Sequence, residues 1–429
     1  MKTLGIDIGT TTISAVVYDS TLGVIASRTV SNNAFLDGAV WEKIQDPEVI
    51  YETAMESVHI LLESHPDVAS IGVTGQMHGI VYLDAHGDPV SPLYTWQDGR
   101  GDLPCGETTW AGRLTKITGY DLATGYGMVT HHYNVNHGIV PENAAVFCTI
   151  HDYLAMKLAG LSHPLMDATD AASLGLYDAV NHCFDKSALV AAGIDETLLP
   201  AIVTEPCLGV GPLDIPVCTA IGDNQASFLG ATAGHIDVLL INIGTGSQIS
   251  IYSPAHVQTP ALETRPFPDG GCLLVGASLC GGRAYALLEK FFRQTVKIAT
   301  GFETSLYGVM ARILDDEEIT DVPRVTPLFQ GTRKDPSIRG SITGLSTENF
   351  TPRHLIVGMM QGMADELYEM YRGYLELGGQ PPAAIIGSGN GLRKNPRLCR
   401  IMEKTFGCPL VLSENDEEAA CGAAIYAMQ

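Results

Sequence analysis

The run Leu4-Gly5-Ile6-Asp7-Ile8-Gly9-Thr10-Thr11 returns in kind as Leu240-Ile241-Asn242-Ile243-Gly244-Thr245-Gly246-Ser247 in the second half of the chain. Each copy is an apolar run with one polar residue, then Gly-Thr among small or hydroxyl-bearing residues, then a second β-rich run. In the first copy, Thr3–Ile8 and Ile13–Tyr18 flank a tight turn, so the unit is a hairpin. One such hairpin opening each half predicts two similar α/β domains facing one another. The boundary is expected near Phe228–Gly234, giving domains of residues 1–230 and 231–429. A chain of 429 residues is too long for one ordinary core and long enough for two or three.

Helical and strand patterns alternate after the first hairpin. Pro47–Ser64 has a proline near its start and Ile50, Ala54, Val58 and Leu61 at one-face spacing. Pro352–Leu377 repeats that pattern with Leu355, Met359, Met363, Leu367 and Met370. Ser70–Thr74, Val81–Asp84 and Cys218–Ile221 are strand candidates, and Pro396–Thr405 is a further helix. With 45% hydrophobic and 17% charged residues, packed cores are expected and extended disorder is not.

A formal net charge of −23 repels phosphate backbones and anionic lipid, which argues against nucleic acid or membrane as a main partner. No stretch approaches the roughly 20 apolar residues that span a bilayer. No cleavable apolar segment follows a basic start, so a cytoplasmic protein is expected. The ten cysteines are scattered with no C-x-x-C pair, which predicts reduced, mostly buried thiols rather than a zinc or redox site.

Phosphate oxygens need backbone N–H groups and hydroxyls that crowd close, which Gly-Thr turns provide. One such turn fits many ordinary hairpins; two matched turns point to a triphosphate. Asp7, just ahead of the first turn, is placed to hold Mg²⁺ directly or through water. Ile385-Ile386-Gly387-Ser388-Gly389-Asn390-Gly391 is a strand entering a glycine-rich turn. It either lets a flat ligand such as adenine lie on the backbone or is an ordinary strand-to-helix turn. Asp223, in Ile221-Gly222-Asp223-Asn224-Gln225, is either a helix N-cap or a general base accepting the proton of an attacking hydroxyl. Gly75-Gln76-Met77-His78-Gly79 and Thr95-Trp96-Gln97-Asp98-Gly99-Arg100 follow two strand ends. They offer amide, imidazole, carboxylate and guanidinium groups to the hydroxyls of a polyol, with Trp96 against its carbon skeleton. His131 and His132 gain no such weight from their neighbours.

Taken in order, these motifs resemble the FGGY carbohydrate kinases essentially end to end. The resemblance includes Gly281-Gly282, Gly331-Thr332-Arg333 with Pro336 and Arg339-Gly340, and Glu417-Glu418-Ala419-Ala420-Cys421-Gly422-Ala423-Ala424. It implies an α/β fold of two ribonuclease-H-like (actin-like ATPase) domains with ATP in a central cleft. It implies a sugar-binding N-terminal domain and an ATP-binding C-terminal one. By position it makes Asp223 the catalytic base and Asp7 the Mg²⁺-associated carboxylate. Thr10, Thr11, Gly244 and Thr245 become phosphate-binding, and Gly389 and Asn390 lie beside the adenosine. Gln76, Met77, His78, Trp96 and Asp98 fall where family members line the sugar pocket. Glycerol kinases carry Arg and Glu where this chain has Met77 and His78, which disfavours glycerol.

Gln-Met-His-Gly looks like xylulose and sedoheptulose kinases. Thr95–Arg100, Cys148–Tyr153, Ala171-Ala172-Ser173 and Gly222–Ser227 look more like the sedoheptulokinase branch. The stretch from Pro200 to Gly222 is shorter than is usual in the family. The expected activity is phosphorylation of a terminal hydroxyl of a ketose by MgATP, sedoheptulose before xylulose, and a homodimer is left open. A non-catalytic sugar or nucleotide sensor on the same scaffold, or a kinase with a carboxylate acceptor, are the competing expectations.

Overall fold

The computed structural model describes residues 1–314, 319–332 and 335–429. It divides into two compact units. One comprises Met1–His235, Arg265–Gly271 and Asn415–Gln429; the other comprises Ile236–Thr264 and Cys272–Glu414.

In the first unit the opening strand, Lys2–Ile8, pairs antiparallel with Thr12–Asp19. Ile8 stands opposite Ile13, so Gly9-Thr10-Thr11-Thr12 connects the two strands. On its other side Lys2–Ile8 pairs parallel with Val68–Gly75, and Asp7 is level with Thr74. A parallel neighbour requires a crossover, and the helix Pro47–Ser64 supplies it. Asp46 caps that helix by accepting the N–H groups of Glu48 and Val49, and Pro47 occupies its first turn. Ile50, Ala54, Val58 and Leu61 are buried, as their spacing predicts.

Beyond Val68–Gly75 the sheet continues to Pro216–Cys218 and Cys207–Val210. The single strand expected over Cys218–Ile221 is broken. Pro216–Cys218 and Ile221–Gly222 both lie on Val68–Gly75, paired as Val217 with Ile71 and Ile221 with Thr74. One extra residue enters between those pairings, the signature of a bulge. Thr219 turns away there, its N–H donating to Pro206 O at 2.8 Å and its hydroxyl to Glu205 O at 2.9 Å. The bulge re-aims the strand end that leads into Asp223.

The second unit repeats the core arrangement. Leu239–Ile243 pairs antiparallel with Ser247–Ser253 and parallel with Ile385–Ser388. Cys272–Ser278 flanks one side and Leu410–Leu412 the other. The long helix Pro352–Glu376 precedes the parallel strand and buries Leu355, Met359, Met363 and Leu367. The sequence echo is therefore an echo of topology.

The closing helix, Glu418–Tyr426, lies far beyond the boundary expected near residue 230 yet packs in the first unit. Small residues explain its seat. A Cβ added to Gly5 or Gly72 would stand closer than 3.0 Å to the carbonyls of Ala420 or Ala423. Thr3 Oγ1 donates to Ala424 O at 2.8 Å. On another face the helix meets Asp223–Ala231, where Gly230 lies against Glu418 and Gly422 against Ala226 with equally little room. Among the described residues no helix is long and apolar enough to cross a membrane. All ten cysteines are free, and five of them are buried.

Candidate active site

Asp223 is the first residue of the helix Asp223–Ala231, and Gly222 holds the N-cap position with no side-chain cap bond. Asp223 is therefore not the N-cap. Two hydrogen bonds fix the turn that delivers it. Thr74 Oγ1 donates to Ile221 O at 2.6 Å, and Gly222 N–H donates to Thr169 Oγ1 at 3.0 Å. Met77 packs over the same turn, because a Cβ on Gly222 would meet its thioether.

The first Gly-Thr turn is tied to two residues expected to line a sugar. Trp96 Nε1 donates to Thr10 Oγ1 at 2.9 Å, and Thr10 Oγ1 donates to Gln76 Oε1 at 3.3 Å. Gln76 Nε2 donates to Gln45 Oε1 at 2.8 Å, and Gln45 Nε2 returns to Thr10 O at 2.9 Å. Asn32 holds the other side of the turn, its Nδ2 on Gly9 O and its N–H on Thr11 O. Thr10, Gln76 and Trp96 thus form one network, with Thr11 exposed at its edge. Sequence reading missed Gln45 and Asn32, which are joined to the turn only by folding.

His78 adopts φ of 75°, a conformation that costs a residue with a Cβ and marks functional positions. Its Nδ1 donates to Ser173 O at 2.6 Å, the carbonyl being able only to accept, and its ring lies 4.5 Å from that of Tyr126. Asp98 requires a correction. Expected to face a sugar, it is fully buried. Its Oδ1 accepts from Arg100 N and Nε, and its Oδ2 from Lys43 N and Arg100 Nη2. Arg100 is itself buried over the Tyr94 ring at 4.1 Å. A buried carboxylate needs such pairing, so Asp98 holds the Trp96 loop rather than presenting itself to a ligand. His131 is core: its Nδ1 meets Tyr82 Oη at 2.7 Å, and burial pushes its pKa down to about 4.

In the second unit the turn Gly244–Gly246 abuts the helix Gly281–Thr300. Gly282 N–H donates to Gly244 O at 3.0 Å and Arg283 N–H to Thr245 O at 2.9 Å. The Gly281-Gly282 pair allows this, since a Cβ at either position would strike the turn backbone. The turn after Ile385–Ser388 joins the same corner. Gly389 has φ of 83° and no room for a Cβ beside Ile243 O, and Asn390 opens the short helix Asn390–Arg393. Asn242 Nδ2 donates to Ser388 Oγ at 3.1 Å. Gly244, Thr245, Gly389 and Asn390 therefore lie at one corner of this sheet. Arg333 lies outside the described residues.

The carboxyl of Asp7 is pushed up to about 7, by burial first and then by the charges of Asp223 and Glu417. Burial also raises Asp223, an effect opposed by His151, Arg265 and the N–H of Asn224. Mutual repulsion of this kind is relieved by a divalent cation, and oxygen donors suit Mg²⁺. Among the described residues no group of three or more His, Cys, Asp or Glu could hold a metal. The crowded carboxyls of Asp7 and Asp223 offer oxygen donors of the kind a magnesium ion takes.

A stability prediction follows from the raised Asp7. The folded chain binds that proton up to about pH 7 and the unfolded chain only to 3.8. Stability is thus lost as pH rises between those values and stays low above them. Without nucleotide or Mg²⁺, Asp7→Asn should melt about 2–5 °C above the parent near pH 8 and converge with it near pH 4. Thermal melts across that range check it; a variant no more stable than the parent near pH 8 contradicts the charge crowding.

Comparison with known proteins agrees with these motifs. Residues 2–230 match the model of the N-terminal domain of the FGGY family of carbohydrate kinases, and residues 239–429 that of the C-terminal domain. The sedoheptulokinase of Mus musculus is 29% identical over 476 residues, covering 100% of this chain and 97% of that protein. A glycerol kinase of Nitrosomonas eutropha is 27% identical, covering 99% of this chain and 88% of its own. The crystal structure of a xylulose kinase from Rhodospirillum rubrum superposes with a TM-score of 0.82 at 22% identity, covering 100% of this chain and 89% of that one. The fold is the two-domain actin-like one, of mixed α/β class, built around a seven-stranded and a six-stranded sheet.

Proposed function

Because the chain belongs to the FGGY family of carbohydrate kinases, we propose that it transfers the γ-phosphoryl group of ATP to a terminal hydroxyl of a ketose, with Asp223 as general base. That it is a sugar kinase rests on the family. Sedoheptulose is the first choice, supported by full-length relatives of that name, and xylulose the second.

One observation carries the reading. Met77, beside His78, packs on Gly222, immediately before Asp223, so the candidate sugar-lining residues and the candidate base share one corner of the first unit. Asp223 takes the proton of the attacking hydroxyl as its oxygen bonds to the γ-phosphorus and ADP leaves. Thr10, Thr11, Gly244 and Thr245 donate to phosphate oxygens, and Gly389 and Asn390 receive the adenosine. Asp7 would hold Mg²⁺, which when bound would neutralise charge on the phosphates. The first unit takes the sugar and the second the nucleoside. ATP as donor and ten free cysteines fit a cytoplasmic enzyme.

The test is ADP release from MgATP across sedoheptulose, xylulose, ribulose, gluconate, glycerol and acetate. Highest kcat/KM on a ketose is expected. Sugar binding without turnover would instead identify a sensor, and best turnover of acetate a carboxylate kinase. With the best sugar, His78→Ala should raise KM about 10-fold and change kcat less, since its contact exists in the ground state too. A change confined to the ATP KM contradicts that placement.

A further inference from the structure

We propose that Thr169, backed by the buried His151–Asp170 pair, is the positioning device that fixes the turn presenting Asp223. The inference rests on the reading of Asp223 as the base. The helix Asp223–Ala231 has no side-chain cap, so its first turn is not held from within. Besides the Thr74 bond to Ile221 O, the outside hold on Gly222 itself is Thr169, 1% exposed, whose Oγ1 accepts the Gly222 N–H at 3.0 Å. That hydroxyl is itself placed rigidly, because Asp167 Oδ1 accepts the Thr169 N–H at 2.8 Å and caps the helix Ala168–Leu174.

The next residue, Asp170, meets His151 Nε2 through Oδ1 at 2.9 Å, with both side chains fully buried. Among the described residues His151 Nδ1 and Asp170 Oδ2 have no other hydrogen-bond partner, so the two groups hold each other. His151 also stands close behind the strand end, since a Cβ on Gly75 would lie 3.3 Å from its Cβ, and Gly75 is the register partner of Gly222. The pair therefore locks Ala168–Leu174 against the strand on which the turn is built. A base displaced by about 1 Å loses on the order of 10²-fold in rate, so this clamp acts on turnover more than on sugar binding.

Thr169→Val keeps the shape and removes the acceptor, leaving a buried N–H unpaired; Thr169→Ser keeps the acceptor. With MgATP and the best sugar of the panel, Thr169→Val should lower kcat per folded molecule about 10- to 100-fold with sugar KM within about 3-fold. Thr169→Ser should stay near the parent. If Thr169→Val does not fold, Thr169→Ala against Thr169→Ser makes the same comparison. Parental kcat in the Val or Ala variant, whatever its melting point, overturns the inference, as does equal loss in the Ser variant. Asp223→Asn, assayed in parallel, separates the two ideas. Its retention of turnover removes the base and the inference with it; its loss beside an unaffected Thr169→Val removes the inference alone.

Discussion

Asp223→Asn should lower kcat by about 10²–10⁴-fold, the usual scale for a lost general base, in a protein that folds at least as well as the parent. The two halves of that expectation have separate causes. Activity falls because an amide cannot take the hydroxyl proton as phosphorus is attacked. Stability does not fall, because burial holds the Asp223 carboxyl above its ordinary range. A folded state that binds the proton more readily than the unfolded one is destabilised as pH rises through and above that range, and asparagine removes the penalty. ADP release with the best ketose and a melting curve near pH 8 give the two readouts. Turnover within about 10-fold of the parent would assign the proton to another group.

Gly422→Ala should be the most damaging single methyl in the first unit. The added Cβ would lie closer than 3.0 Å to the carbonyl oxygen and backbone carbons of Ala226, which cannot rotate away as a side chain could. Nor can the helix Glu418–Tyr426 retreat, since Gly5 and Gly72 already bring the sheet against its carbonyls. Overpacking between two fixed backbones costs on the order of 3–5 kcal/mol. That corresponds to a melting point lower by roughly 10 °C or more, with activity lost alongside because the neighbouring helix begins at Asp223. Gly407→Ala is the control. It has φ of 72° but nothing within 4 Å, so only conformational cost of about 1 kcal/mol applies. If both variants melt alike, the close helix approach is not what holds the closing helix.

Much of this was legible in residues alone, where spacing and chemistry act locally. The Pro47–Ser64 stripe was readable because a helix brings every third or fourth residue to one face. The Gly-Thr turns were readable because a strand pair closing in so few residues requires small ones. The site's supports were not. Gln45, Asn32 and Thr169 come from segments whose local pattern says nothing about the turns they bond. Asp98 misled for the converse reason: its neighbours suit a sugar, but Arg100, two residues on, captures its carboxylate in the core.

By itself the sequence determined the two matched hairpins, the helices that cross between parallel strands and the residue types fit to meet a phosphorylated ligand, because these follow from short-range periodicity and side-chain chemistry. Only the tertiary structure decided that the final helix returns to the first unit, that a bulge at Thr219 aims Asp223, and that Thr169 holds the turn before it. Those outcomes depend on backbones approaching within a glycine's width and on hydrogen bonds between residues far apart in the chain, and neither leaves a local mark on the order of amino acids.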